Sequence, residues 1–198
     1  MKQSKSERTR QFIIEKTAPV FNRNGFEGTS LTDLLKTTGL TKGALYGNFR
    51  DKEDIAAEAF RYSMNKVRAI VSERIKDGMS AKQKIMALVT FFSHHVFNPP
   101  IAGGCPMLNN AVEADDAHTS MKKVVASEIA QTITFIESLI QEGKASGEFL
   151  KGTRTRDLAY VLFASVEGAL MISRVSSSDA AMKAVVRHCK NVLDQISK

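Results

Sequence analysis

Lys42 and Tyr46 stand one helical turn apart in the stretch Thr41-Lys42-Gly43-Ala44-Leu45-Tyr46-Gly47-Asn48, whose other members are mostly small or polar. A lysine at the start of a short helix can donate to guanine O6 and N7 in the major groove of duplex DNA. Thr41 and Gly43 beside it allow close approach to backbone and bases, and Asn48 can donate or accept. Lys52, with the first backbone N–H groups of the helix that follows, suits a phosphate oxygen. Thr29 and Ser30 suit the same role at the head of the preceding helix. Tyr46 shares the face of Lys42; its alternative is a core aromatic, although its neighbours are small and polar.

These side chains need two short helices to hold them. In Ser30–Asn48, Leu31, Leu34 and Leu35 place apolar groups on one face of the first helix, at spacings of three and four. Gly39 suits the left-handed residue after a helix end. Leu40 plugs the space between the helices, and Thr41 has the chemistry to cap the second, expected over Lys42–Phe49. Only Leu45 and Phe49 of that second helix point clearly inward. The opposite face has little to bury and is free to enter a groove, which is the layout of a helix-turn-helix. An ordinary helical hairpin is the plainer reading of the same spacing.

The flanking sequence favours the first reading. The run TSLTDLLKTTGLTKGALYGNFRDKEDI, with Gly25-Phe26 ahead of it and IIEKTAPVFNRNGF leading in, resembles the TetR family of transcriptional repressors over about a quarter of the chain. Tyr46, Phe49 and Lys52 fall at the most characteristic places. Leu35 and Thr38 depart from the small residues usual there. The resemblance implies an all-α chain of about nine helices: an N-terminal three-helix DNA-binding domain over 1–54 and a C-terminal bundle over 55–198 for effector binding and dimerisation. It implies that the Tyr46 hydroxyl contacts a phosphate. It also implies a homodimer on a palindromic double-stranded operator, its two recognition helices roughly one DNA turn, ~34 Å, apart or somewhat more.

Composition agrees. A chain of 198 residues can bury a sizeable core, and four prolines with no tryptophan suit helices. Of the net charge of +7, ten cations against five anions fall at or before Lys52. A localised excess beside a helix-turn-helix is an electrostatic footprint for a polyanion. Two distant cysteines, Cys105 and Cys189, have no metal-type spacing and fit a reducing cytoplasm. The first ten residues have no apolar signal segment, and the longest apolar run, Leu158–Ile172, is broken by Glu167 and reads as too short for a bilayer. The expectation is a cytoplasmic protein without a membrane partner.

Helical periodicity continues along the chain. A helix over Ser6–Asn24 carries Pro19, which should remove one backbone hydrogen bond and bend it. A long helix opens at Asp51 and runs to about Lys76, joining the DNA module to the body. Helices follow over Ala81–Phe97, from Pro106 to about Ala114, from about His118 to Lys144, from Thr155 to about Arg174, and from Ser178 or Asp179 to near Ser197. The last two carry apolar residues on more than one face, which implies a second partner or complete burial within one subunit. The dimer candidates are Leu158, Leu162, Ser165, Val166, Ala169, Val185, Cys189 and Val192.

By resemblance, the variable body binds a small effector that releases DNA. Gly103–His118 is its most specific stretch, with a GC-x-x-x-N pattern found in a subset of the family. The candidate pocket is Phe92, Cys105, Met107, Leu108, Asn109, Phe163, Glu167 and Met171. Cys105 at a helix start is placed for thiolate stabilisation by the dipole, hence for an oxidant or electrophile; the alternative is an inert, buried thiol. His94, His95, Glu113, Asp116 and His118 invite a metal, but adjacent histidines face different sides and no i,i+4 ligand pair occurs, so neither metal nor cofactor is expected. No nucleophile elbow, P-loop or dinucleotide fingerprint is present, so no enzyme is expected. The leading reading is a ligand-responsive DNA-binding repressor; the alternative is a redox or electrophile sensor acting through Cys105.

Overall fold

The computed structural model describes residues 4–117 and 119–198. Among the described residues the chain forms α1 (Lys5–Asn24), α2 (Leu31–Thr38), α3 (Lys42–Tyr46), α4 (Lys52–Arg74), α5 (Ala81–His94), α6 (Pro106–Ala117), α7 (Thr119–Ala145), α8 (Thr155–Val175) and α9 (Ala180–Ile196). Outside the helices there is one isolated antiparallel bridge, between Phe149 and Ser197. The expected all-α architecture of about nine helices is what forms. His118, expected near the start of α7 and in the metal set, lies outside the described residues, as does the Asp116 side chain.

The helices group into two compact units, Met1–Val67 with Pro99–Ala126 and Arg68–Asn98 with Ser127–Lys198. α4 and α7 supply residues to both. In the first unit, α1 begins with a reciprocal capping box between Ser4 and Glu7 and runs unbroken through Pro19. Its Ile13, Ile14, Ala18 and Phe21 meet Leu34 of α2, Leu45 of α3, Phe49, and Ile55, Ala56 and Ala59 of α4 in one core. α6 packs on α1 in this same unit.

In the second unit, α8 lies along α9 and both meet α5. Burial of Ala159, Leu162, Val166, Ala169 and Leu170 on α8 and of Met182, Cys189 and Leu193 on α9 builds that core. Glu148 serves the head of α5, accepting from the Ser80 hydroxyl at 2.6 Å and the Ala81 N–H at 2.8 Å. A carboxylate there meets unsatisfied amides and the positive end of the helix dipole. α8 is longer than its apolar run, because it extends to Thr155 and Val175. By length and composition it is able to cross a membrane, contrary to the expectation from the run alone. One side of it packs against α9 and α5, and the other is exposed.

Three boundaries differ from expectation for local reasons. α3 stops at Tyr46 rather than Phe49: the Asn48 N–H donates to Leu45 O at 3.1 Å in a tighter turn, and its side-chain amide takes the Ala44 carbonyl at 2.9 Å. α5 stops at His94 rather than Phe97, where the His95 N–H is shared between the Phe91 and Phe92 carbonyls. α6 continues three residues beyond the expected Ala114.

Candidate nucleic-acid interface

α2 and α3 meet as the sequence requires. Ser30 and Asp33 form a capping box at the head of α2. Gly39 ends the helix at φ 69°, ψ 13°, and its N–H donates to Leu35 O at 2.8 Å. Thr41 caps α3 by accepting from the Ala44 N–H at 3.2 Å. Leu45 and Phe49 are buried beneath, whereas Thr41, Lys42 and Gly43 are exposed together. An added Cβ on Gly43 would meet nothing within 4 Å. The first turn of α3 is therefore a bare, singly cationic ridge. Tyr46 is half-buried, its ring packed on the core of the unit.

The flanks complete a cationic surface. Lys36 and Arg50 are exposed, as are Lys5 and Arg8 on α1. Lys5, Arg8, Thr9, Phe12 and Leu40 line a shallow hollow of about 360 Å³. Lys52, at the first position of α4, holds its ammonium 4.2 Å from the centre of the Phe26 ring. Asp51 accepts from the Asp54 N–H at 2.7 Å, fixing the same helix start.

One expected contact is corrected. Thr29 is fully buried, and its hydroxyl donates to Gly25 O at 2.6 Å, so it holds the α1–α2 loop and does not face a phosphate. The Ser30 hydroxyl donates to Asp33 Oδ2 at 2.6 Å and accepts from the Asp33 N–H at 3.1 Å. The Ser30 hydroxyl, with the Ser30 N–H that also donates to Asp33 Oδ2 at 2.9 Å, holds the Asp33 carboxyl below its ordinary pKa. Ser30 itself remains exposed at the head of α2. Half-buried Asn48 donates from its amide to Ala44 O at 2.9 Å and accepts on Oδ1 from the Ser6 hydroxyl at 3.3 Å.

The expected effector residues divide between the units. Cys105, Met107, Leu108 and Asn109 belong to the first; Phe92, Phe163, Glu167 and Met171 belong to the second. Asn109 does not offer its amide to a cavity. It donates to Asn22 O at 2.9 Å, to Asn22 Oδ1 at 3.2 Å and to Gly103 O at 3.2 Å. Met171 is 49% exposed, on the outer side of α8. Met107 is buried, Cys105 is half-buried at the head of α6, and the Oε2 atom of Glu167 is shielded from solvent. Among the described residues no three His, Cys, Asp or Glu side chains group as metal ligands.

Four of the dimer candidates lie inside the subunit. Leu162, Val166, Ala169 and Cys189 are buried inside their own subunit, where α8, α9 and α5 pack together. Burial raises the Cys189 thiol pKa. The outer face of α8 instead carries Val161, Met171, Ile172 and Val175, all exposed, with half-buried Ser165 and Gly168 between them. The sequence reading gave Arg10 no contact and considered Glu113 only as a metal ligand. Both serve the helix-turn-helix from 38 or more positions away, and no local pattern announces such contacts.

Residues 13–59 match the family described as bacterial regulatory proteins, tetR family, and residues 81–189 match the tetracyclin repressor-like C-terminal domain. A solved transcriptional regulator of the TetR family from Cytophaga hutchinsonii is 36% identical, covering 100% of this chain and 98% of its own, with a TM-score of 0.92. A TetR transcriptional regulator from Chloroflexus aurantiacus J-10-FL is 31% identical over 98% of both chains, also at 0.92. The Escherichia coli repressor NemR, solved in its reduced form, shares the fold at 21% identity and a TM-score of 0.84, over 93% of this chain and 96% of that one.

Proposed function

The chain belongs to the TetR family of bacterial transcriptional regulators, and on that premise we propose a homodimeric repressor that leaves its operator when a small molecule binds the helical body. The DNA assignment is supported by the bare first turn of α3, where Thr41, Lys42 and Gly43 are exposed above buried Leu45 and Phe49. Lys42 is assigned to base edges; Tyr46 and Lys52 are assigned to phosphates. The functional division is drawn at residue 54, with reading of DNA before it and effector binding and dimerisation after it.

The dimer forms through the outer face of α8. Val161, Ser165, Gly168, Ile172 and Val175 recur at spacings of three and four, and the small residues at its middle allow close approach of a second helix. A two-fold axis through this face is self-complementary and presents two copies of α3 to a palindromic site. The protein acts in the bacterial cytoplasm, has no catalytic role and has no membrane partner. Release is a two-state event: the effector must favour the state that does not hold DNA, or no equilibrium moves. α4, which supplies both units, carries the change.

Footprinting of the purified protein on the DNA next to its own coding region tests this reading. A protected palindrome whose protection fades with a small molecule is expected; no protection at low ionic strength would remove it.

The second reading gives the sensor a covalent input at Cys105. It is favoured by the half-buried thiol at the head of α6, where the helix dipole stabilises a thiolate. Mass spectrometry after mild peroxide or quinone treatment separates the two. Unmodified Cys105, together with DNA release by an unreactive ligand, would leave only the first.

A further inference from the structure

The loop from α1 to α2 is held from α6. Glu113 accepts the Phe26 N–H on Oε2 at 2.6 Å and the Glu27 N–H on Oε1 at 2.8 Å. Hydrogen bonds to an ionised acceptor are about twice as strong as neutral ones. Gly25 makes room for the carboxylate: it sits at φ 75°, and an added Cβ would lie 2.7 Å from both oxygens of Glu113. One turn earlier on the same face of α6, Asn109 bonds the backbone carbonyl and side-chain oxygen of Asn22, near the end of α1. The Asn22 amide in turn donates to Ala102 O and Gly104 O, both at 3.1 Å, in the loop that leads into α6.

Phe26 has a second role. Its ring stacks on Phe21 at 6.4 Å between centroids and lies under the Lys52 ammonium at 4.2 Å. One residue thus receives the Glu113 carboxylate on its backbone and presents its ring to a cation at the head of α4. We infer that Glu113 is a positioning residue for DNA binding, which acts from α6 through Phe26 to fix Lys52 against a phosphate. The inference rests on the DNA-binding reading above and adds a residue outside the helix-turn-helix to it. α6, although it follows residue 54, thereby packs with the DNA-reading unit, so a displacement at the head of α6 has a route to Lys52 that does not run along the length of α4.

The test uses the full chain and a duplex that the wild-type protein selects from a random-sequence pool. Glu113→Ala is expected to bind that duplex about tenfold more weakly. Its log–log salt dependence should be shallower by about one per subunit, the signature of a lost phosphate contact. Lys52→Ala should show the same change, and the double variant no more than either single one. Gly25→Ala, which displaces the carboxylate, should reproduce the loss. In hydrogen exchange, the Phe26 and Glu27 amides should open at least tenfold faster in Glu113→Ala, with Ile13 and Leu34 unchanged. A merely structural role lowers the folded fraction and leaves the salt slope alone. Glu113→Gln keeps the volume and one acceptor oxygen, and carries the test if Glu113→Ala does not fold. Wild-type affinity and slope in the variants, or losses that add to those of Lys52→Ala, would overturn the inference. A wild-type protein that selects no duplex would remove the DNA reading itself.

Discussion

The Arg10 guanidinium lies 4.1 Å from the centre of the Phe49 ring and donates to the Asn48 carbonyl at 2.6 Å. α1 therefore grips the segment just beyond α3, at a point where a short helix ends and its carbonyls need donors. Glu58 of α4 stands 3.8 Å away and completes a bridge joining α1, α4 and the segment between α3 and α4. Arg10→Ala removes a cation–π contact and a charge-assisted hydrogen bond together. The expected cost is about 2 kcal/mol, read as a fall in Tm of about 4–8 °C, with weaker DNA binding. Arg10→Lys keeps the charge but not the planar fork and should recover less than half of it. An unchanged melting curve would show that α3 is held by the buried Leu45 and Phe49 alone.

Gly43 separates stability from recognition. An added Cβ meets nothing within 4 Å, and the residue lies inside α3, where glycine costs roughly 0.5–1 kcal/mol relative to alanine. Gly43→Ala should therefore raise stability by about that amount while weakening operator binding, because the new methyl group stands where bases or backbone must approach. Chemical denaturation and fluorescence anisotropy on the same preparation check both arms. If both rise, the first turn of α3 does not face DNA closely.

How much of this was legible follows the range of the interactions. Ser30, Gly39 and Thr41 act on neighbours within four residues, so their residue types announce their roles, and the helix-turn-helix could be read directly. α3 was read too long because Leu45 and Phe49 keep helical spacing, whereas Gly47 and the Asn48 amide turn the chain between them. Thr29 was misplaced because an exposed-looking threonine beside a cap gives no hint that its hydroxyl turns back to Gly25. Leu162, Val166 and Ala169 of α8 were read as facing a partner but are buried within the subunit. Both faces of that helix are apolar, and which one meets α9 is decided by packing, not by period. Glu113 and Asn109 were invisible as loop holders because their partners lie 86 and 87 positions away.

Lys42 and Tyr46 divide base reading from phosphate anchoring. Lys42→Ala should flatten preference at one guanine position per half-site, by about 1–3 kcal/mol. Tyr46→Phe removes a neutral donor, so binding should weaken by about 1 kcal/mol across all sequences with its salt dependence unchanged. Competition binding against a panel of single-base operator variants distinguishes the two patterns. Wild-type affinity in both variants would remove these residues from the interface.

The outer face of α8 makes a prediction about assembly that leaves the fold of the single subunit intact. Gly168 has open space around its missing side chain, between exposed Val161 on one side and Met171, Ile172 and Val175 on the other. Gly168→Ala fits within the subunit and should leave Tm unchanged or slightly higher. Gly168→Arg places an unpaired charge at the centre of an apolar helix–helix contact. Burying such a charge costs about 3–5 kcal/mol, roughly a hundredfold or more in dimer dissociation. Sedimentation at micromolar concentration should then show a folded monomer whose operator affinity has collapsed, because one subunit reads only half of a palindrome. If Gly168→Arg stays dimeric with normal operator binding, the subunits meet elsewhere, and the exposed stripe on α8 needs another occupant.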